Sequence, residues 1–146
     1  MREILFRGKR ADNGKWEYGD LWCNPYGKRV VCVVSPINDQ GTTGGNEVDP
    51  ETVGQYTGLT DKNGRKIFEG DIVRLFNRNG QEIMSYVVEW YSDCSMFVLD
   101  CIDFDMEFDT DFTVFYGDEF EIVGNIHDNP ELVRKDEENG SSYKSD

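Results

Sequence analysis

Asp71-Ile72-Val73-Arg74-Leu75-Phe76-Asn77-Arg78-Asn79-Gly80-Gln81-Glu82-Ile83-Met84-Ser85-Tyr86-Val87-Val88-Glu89-Trp90 is the stretch that decides the fold. Two runs rich in β-branched and aromatic residues flank Asn79-Gly80, the strongest short-range signal for a β-hairpin. In a type I′ turn both central residues take positive φ, which Asn and Gly tolerate best. The same dipeptide recurs at Asn13-Gly14, between residues 3–8 and 16–22, and at Asn63-Gly64, between 55–59 and 66–68. A fourth turn, Asn24-Pro25-Tyr26-Gly27, leads into Val30-Val31-Cys32-Val33-Val34. Four hairpins between residues 3 and 90 predict an antiparallel meander, not βαβ units.

Outward from these hairpins, residues 35–50 read as a flexible loop rich in Gly, Thr and Asn. Asp49-Pro50-Glu51 has the cap, proline and acidic first turn of a helix start, and Gly54 limits it to a short helical stub. Ile102-Asp103-Phe104-Asp105-Met106-Glu107-Phe108-Asp109-Thr110-Asp111-Phe112 alternates strictly, predicting a strand with carboxylates on one face and apolar groups on the other. Residues 119–126 read as the last strand, and residues 134–146 as a disordered acidic tail. The expected fold class is therefore all-β: a hairpin meander with an SH3-like barrel-type core. Residues 1–54 would form an N-terminal sheet and 55–133 the barrel-like core, together one compact unit. Glu69-Gly70-Asp71-Ile72-Val73 looks like the strand entry of SH3-like barrels, which is a signal of fold and not of function.

At 146 residues the chain can bury roughly 68–70% of its unfolded surface, enough for a core without staples. The four cysteines show no C-x-x-C pair, and His127 is the single histidine, so a structural zinc site is disfavoured. Buried free thiols are the expectation, with a disulfide disfavoured in a cytosolic protein. No apolar run approaches the roughly 20 residues of a membrane helix, and the N-terminus lacks a signal-peptide apolar segment. These features predict a cytoplasmic protein with no membrane contact.

The net charge of −14 is unevenly placed. Residues 1–80 hold twelve Lys/Arg and eleven Asp/Glu, whereas residues 81–146 hold three and eighteen. A field of that sign repels phosphates, which disfavours direct nucleic-acid binding through the second half. It suits instead a basic partner protein.

Three blocks along the chain carry a family resemblance. The first is Phe6-Arg7-Gly8-Lys9-Arg10 with Asn13-Gly14-Lys15-Trp16 and Tyr18-Gly19. The second runs from Gln55-Tyr56-Thr57-Gly58-Leu59 through Asp61-Lys62-Asn63-Gly64 to Ile67-Phe68-Glu69-Gly70-Asp71-Ile72-Val73. The third is Ile122-Val123-Gly124-Asn125-Ile126-His127-Asp128-Asn129-Pro130-Glu131-Leu132. They resemble the YopX family of phage and prophage proteins over about residues 1–133, and the resemblance implies that a basic partner would be a host or phage protein. It implies a β-rich accessory protein in the cytoplasm of a bacterial host, and it brings no catalytic residues to carry over.

Five carboxylates, Asp103, Asp105, Glu107, Asp109 and Asp111, are the candidate binding residues. Same-face residues on a strand stand about 6.6–7 Å apart, too far for three in a row to grip one cation. An acid–base pair for glycoside hydrolysis fits the spacing but not the chemistry, since equivalent exposed acids have no cause to differ in pKa. An anionic surface for a basic partner, or a mimic of nucleic-acid phosphates, is the functional reading. Against it stands a protective one, in which charge on an exposed strand prevents edge-to-edge association. Asp61-Lys62-Asn63-Gly64 resembles part of a calcium loop but lacks its twelfth-position Glu and flanking helices, so a hairpin turn is preferred. No G-x-S-x-G or P-loop occurs, and Thr42-Thr43-Gly44-Gly45 is weak evidence for a ligand loop. The expectation is a non-enzymatic protein without metal or cofactor. A β-barrel binding an unassigned small ligand or substrate is the alternative, and the oligomeric state is left open.

Overall fold

The computed structural model describes residues 1–24, 26, 31–38, 41–42, 44–103, 110–111 and 119–133. Its strands are β1 (Phe6–Lys9), β2 (Trp16–Asn24), β3 (Val31–Ser35), β4 (Ile37–Asn38), β5 (Gly41–Thr42), β6 (Asn46–Val48) and β7 (Gly54–Thr60). There follow β8 (Lys66–Phe68), β9 (Asp71–Phe76), β10 (Glu82–Tyr91), β11 (Met96–Cys101), β12 (Thr110–Asp111) and β13 (Phe120–Asn125). They build a six-stranded sheet in the order β6-β3-β2-β1-β7-β8, a five-stranded sheet β12-β11-β10-β9-β13, and the ribbon β4-β5. The fold is all-β with antiparallel sheets, as the turn pattern predicts. The pairings among the described strands do not close either sheet into an SH3-like barrel.

Two compact units divide the chain: Met1–Leu59 with Lys66–Glu69, and Thr60–Arg65 with Gly70–Asp146. The hairpins are local, but three strand pairings among the described residues are not. Strand β3 pairs with β6, β1 with β7, and β9 with β13. A pure meander is therefore not formed. Asn-Gly signals mark neighbours in sequence and carry no information about which strands meet afterwards.

Within the first unit, Leu21 lies opposite Val34, and Cys32 lies between Cys23 and Val48. Opposed residues share a face, so Cys32, Val34 and Val48 form a buried cluster against which Leu21 and Val53 pack. Val48 explains why part of the expected loop is ordered: burying its side chain holds β6 on the sheet edge. The helical stub is present as a 3₁₀ turn, Pro50–Thr52, whose cap Asp49 accepts the Glu51 N–H. The expectation of free thiols is overturned for one pair. Cys23 and Cys32 are joined by a disulfide with Cα atoms 4.2 Å apart, while Cys94 and Cys101 are free. The two stand nine positions apart in sequence, but a hairpin sets residues equidistant from its turn directly opposite one another.

In the second unit, one face of the sheet carries Val73, Leu75, Tyr86, Val88, Leu99, Phe120 and Ile122, by the registers Val73↔Tyr86, Val88↔Leu99, Phe120↔Leu75 and Ile122↔Val73. All seven are buried, and Tyr86 meets Phe120 edge-to-face at 6.3 Å. Truncating a side chain such as Phe120 in a site of this kind costs about 3–5 kcal/mol.

The hairpin turns differ from the expected type I′. Gly64 and Gly80 take φ of 79° and 77°, while Asn63 and Asn79 stay at negative φ. Gly64 donates to the Asp61 carbonyl and Gly80 to that of Asn77, so each is a type I turn followed by a left-handed glycine. The residue that opens the turn makes this form favourable. Oδ1 of Asp61 accepts the N–H groups of Asn63 and Arg65, and Oδ1 of Asn77 those of Asn79 and Gln81.

Candidate functional site

In the β1–β2 pairing Arg7 lies opposite Tyr18 and Lys9 opposite Trp16, and in the β2–β3 pairing Trp22 lies opposite Val33. Alternate residues of a strand share a face. One face of the first unit therefore carries Arg7, Lys9, Trp16, Tyr18, Asp20 and Trp22.

Arg7 is only 5% exposed. Its guanidinium lies 4.6 Å from the Trp16 ring centroid and 4.9 Å from that of Phe68. Such stacking suits the flat, weakly hydrated guanidinium better than an ammonium. Its Nη2 also donates to the Glu69 carbonyl at 3.3 Å. Gly54, opposite Arg7 in β7, makes that contact possible: a Cβ there would stand 2.6 Å from the same carbonyl oxygen. Phe68 in turn receives Tyr18 edge-to-face at 5.4 Å and Tyr56 at 5.7 Å.

Glu69 closes the cluster. Its Oε1 accepts the Gln55 N–H at 3.3 Å. Burial pushes its carboxyl above the ordinary value of 4.5, against the smaller opposing pulls of that N–H and of Arg7.

The outer part of the same face is open to solvent. Tyr18 is 45% and Trp22 60% exposed. Large aromatic side chains with few rotatable bonds are the commonest energetic anchors of protein interfaces. Here one of them rests on a rigid cation–aromatic stack. Sequence reasoning placed both residues on a strand but did not single them out. The signal was Trp16-x-Tyr18-x-Asp20-x-Trp22, where a charged residue shares a face with three aromatics and so marks that face as solvated.

The five predicted acids belong to the second unit. Asp103 follows β11 and is exposed, with Oδ2 accepting the Ser85 N–H at 2.6 Å. Asp111 lies in β12, where it pairs with Val98. In the same antiparallel pairing Thr110 lies opposite Leu99, and residues 104–109 and 112 of the alternating stretch lie outside the described residues. Asp105, Glu107 and Asp109 lie outside the described residues, as does the tail 134–146. Asp61 holds backbone groups as a turn residue, and His127 sits in a turn where its N–H donates to Asn125 Oδ1.

The family model described as "YopX protein" matches residues 5–134. The chain belongs to the YopX family. A search among curated proteins finds no match. The crystal structure of protein EF1440 from Enterococcus faecalis is similar in fold over 91% of this chain and 99% of that one, with 20% identity and a TM-score of 0.50. The blocks by which this YopX-family chain is recognised meet in the structure. Arg7, Trp16 and Tyr18 come from the first block, and Phe68 and Glu69 from the second. The third block runs from the end of β13 into a turn in which Asn125 Oδ1 accepts the N–H groups of His127 and Asp128, and Asn129 Oδ1 accepts that of Asn125. No helix among the described residues is long and apolar enough to cross a membrane.

Proposed function

We propose that this YopX-family chain is a phage or prophage accessory protein that acts in the host cytoplasm through contacts with another protein, without catalysing a reaction. The observation that carries this reading is the pair of exposed aromatics, Tyr18 and Trp22, on one face beside the Arg7 stack. Burying them against a partner removes apolar surface from water, worth about 1.5–3 kcal/mol per large side chain. The test compares capture by the native chain with capture by Tyr18→Ser/Trp22→Ser from phage-infected bacterial cells, followed by titration of the purified partner. A partner held by the native chain and at least tenfold weaker on the variant supports the reading. Equal affinity for both overturns it.

A second reading draws on charge. The second unit holds seven Lys/Arg against twenty Asp/Glu, so an anionic decoy of nucleic acid would act through it. Its partner would bind less tightly with rising salt, and neutralising Asp103, Asp105 and Asp109 would weaken it, whereas Tyr18→Ser/Trp22→Ser would not.

A further inference from the structure

Three observations converge on the disulfide. Cys23 and Cys32 occupy directly opposed positions of the β2–β3 pairing. Their environments are unlike: Cys32 is 3% exposed, in the cluster with Val34 and Val48, whereas Cys23 is exposed. The strands are also held independently of the bond, by the pairs Asp20↔Ser35, Leu21↔Val34, Trp22↔Val33 and Asn24↔Val31 on either side of it.

We propose that Cys23–Cys32 is a reversible thiol–disulfide exchange site whose co-reactant is a low-molecular-weight thiol, with Cys23 the sulfur attacked. Exchange runs in line, so the incoming thiolate must approach an Sγ from the side away from its partner. Cys23 offers that approach from solvent, and the residues packed around Cys32 block the other. One thiolate RS⁻ bonds to Cys23 Sγ, the Sγ–Sγ bond breaks, and its electron pair leaves with Cys32 as a thiolate. A second RS⁻ attacks the outer sulfur of the mixed disulfide, releasing RSSR and the Cys23 thiolate. Two protons from solvent complete the two-electron reduction to two thiols. The leaving thiolate emerges into an apolar cluster, which disfavours its charge and slows the first step. The resulting Cys32 thiol then packs there as a small apolar group, so the sheet survives reduction and the bond can re-form. Trp22 of the exposed aromatic pair precedes Cys23 in β2, with its side chain on the opposite face of the sheet. The proposal does not depend on what that pair binds.

The test uses the full chain in reduced and oxidised glutathione mixtures, with acid quenching, alkylation and mass spectrometry of the peptides holding residues 23 and 32. The expected result is reversible loss and return of the bond with an unchanged far-ultraviolet circular dichroism spectrum. Under native conditions Cys32→Ser should form a mixed disulfide with oxidised glutathione at Cys23 at least about tenfold faster than Cys23→Ser does at Cys32. Should either variant fail to fold, the transient mixed disulfide of the wild-type chain decides, since fragmentation must place it on Cys23. The proposal is overturned if air-oxidised native protein carries no Cys23–Cys32 bond, if reduction unfolds the chain, or if glutathione is found on Cys32.

Discussion

Asp61 reaches Ile122 across 61 residues of sequence, its Oδ2 accepting the Ile122 N–H at 3.0 Å. Around this bond the turn between β7 and β8 covers the outer edge of β13. Lys62 N–H donates to the Phe120 carbonyl at 2.8 Å, and Arg65 Nη1 to that of Ile122 at 3.5 Å. A sheet edge left open presents unpaired backbone groups on which other chains can template. Here a side chain and a turn backbone fill that role, and the acid that does so is 3% exposed.

Replacing Asp61 by Ala strands three backbone donors, those of Asn63, Arg65 and Ile122. The expected cost is about 2–4 kcal/mol, read as a lower urea midpoint at unchanged slope. Asp61→Asn keeps one accepting oxygen and should lose less. A loss below about 0.5 kcal/mol for the alanine variant would show that water replaces the carboxylate without penalty.

The turns give a sharper comparison, because the two members of one dipeptide have different tasks. Gly80 sits at φ 77°, where a side chain costs about 1–2 kcal/mol, whereas Asn79 has an ordinary backbone. Gly80→Ala should therefore destabilise by about that amount, and Asn79→Ala by less than about 0.5 kcal/mol. Thermal unfolding of both variants checks this. Equal losses would restore the type I′ turn that the dipeptide suggests.

That contrast shows what was legible. Local chemistry announces that the chain turns at Asn79-Gly80, and β8 and β9 have the boundaries their residue pattern predicts. It does not announce the turn type, because Asn77 Oδ1 acts from outside the dipeptide. Non-local joins were hidden for a similar reason. Phe6↔Gln55 and Phe120↔Leu75 depend on packing that no short window contains. Cys23 and Cys32 stand opposed beside the pair Asn24↔Val31, but the expected cytosolic location argues against a disulfide and so hid it. Tyr18 and Trp22 looked like ordinary strand residues until the register showed which face they share.

Arg7→Lys tests the stack that supports this face. Charge is kept, but the flat guanidinium between Trp16 and Phe68 is lost, with its bond to the Glu69 carbonyl. The expected loss is about 1–2 kcal/mol, seen as a lower melting temperature. Arg7→Met should cost a similar amount, because a flexible apolar chain fills the space without the electrostatic attraction to the rings. If Lys proves as good as Arg, then charge alone accounts for the site.

Glu69 makes the stability depend on pH in a direction opposite to most carboxylates. Burial raises its folded value above the ordinary 4.5, so the folded chain binds the proton more tightly than the unfolded one. The stability this group contributes is then complete below its unfolded value and is lost as the pH rises through its folded value. Glu69→Gln removes that dependence while keeping an oxygen for the Gln55 N–H. The difference in unfolding free energy, variant minus native, should therefore grow in favour of the variant as pH rises from about 4 to about 7. Urea titrations of both chains at several pH values in that range measure it. A difference that shrinks with rising pH would mean that the attraction of Arg7 outweighs burial at this carboxylate.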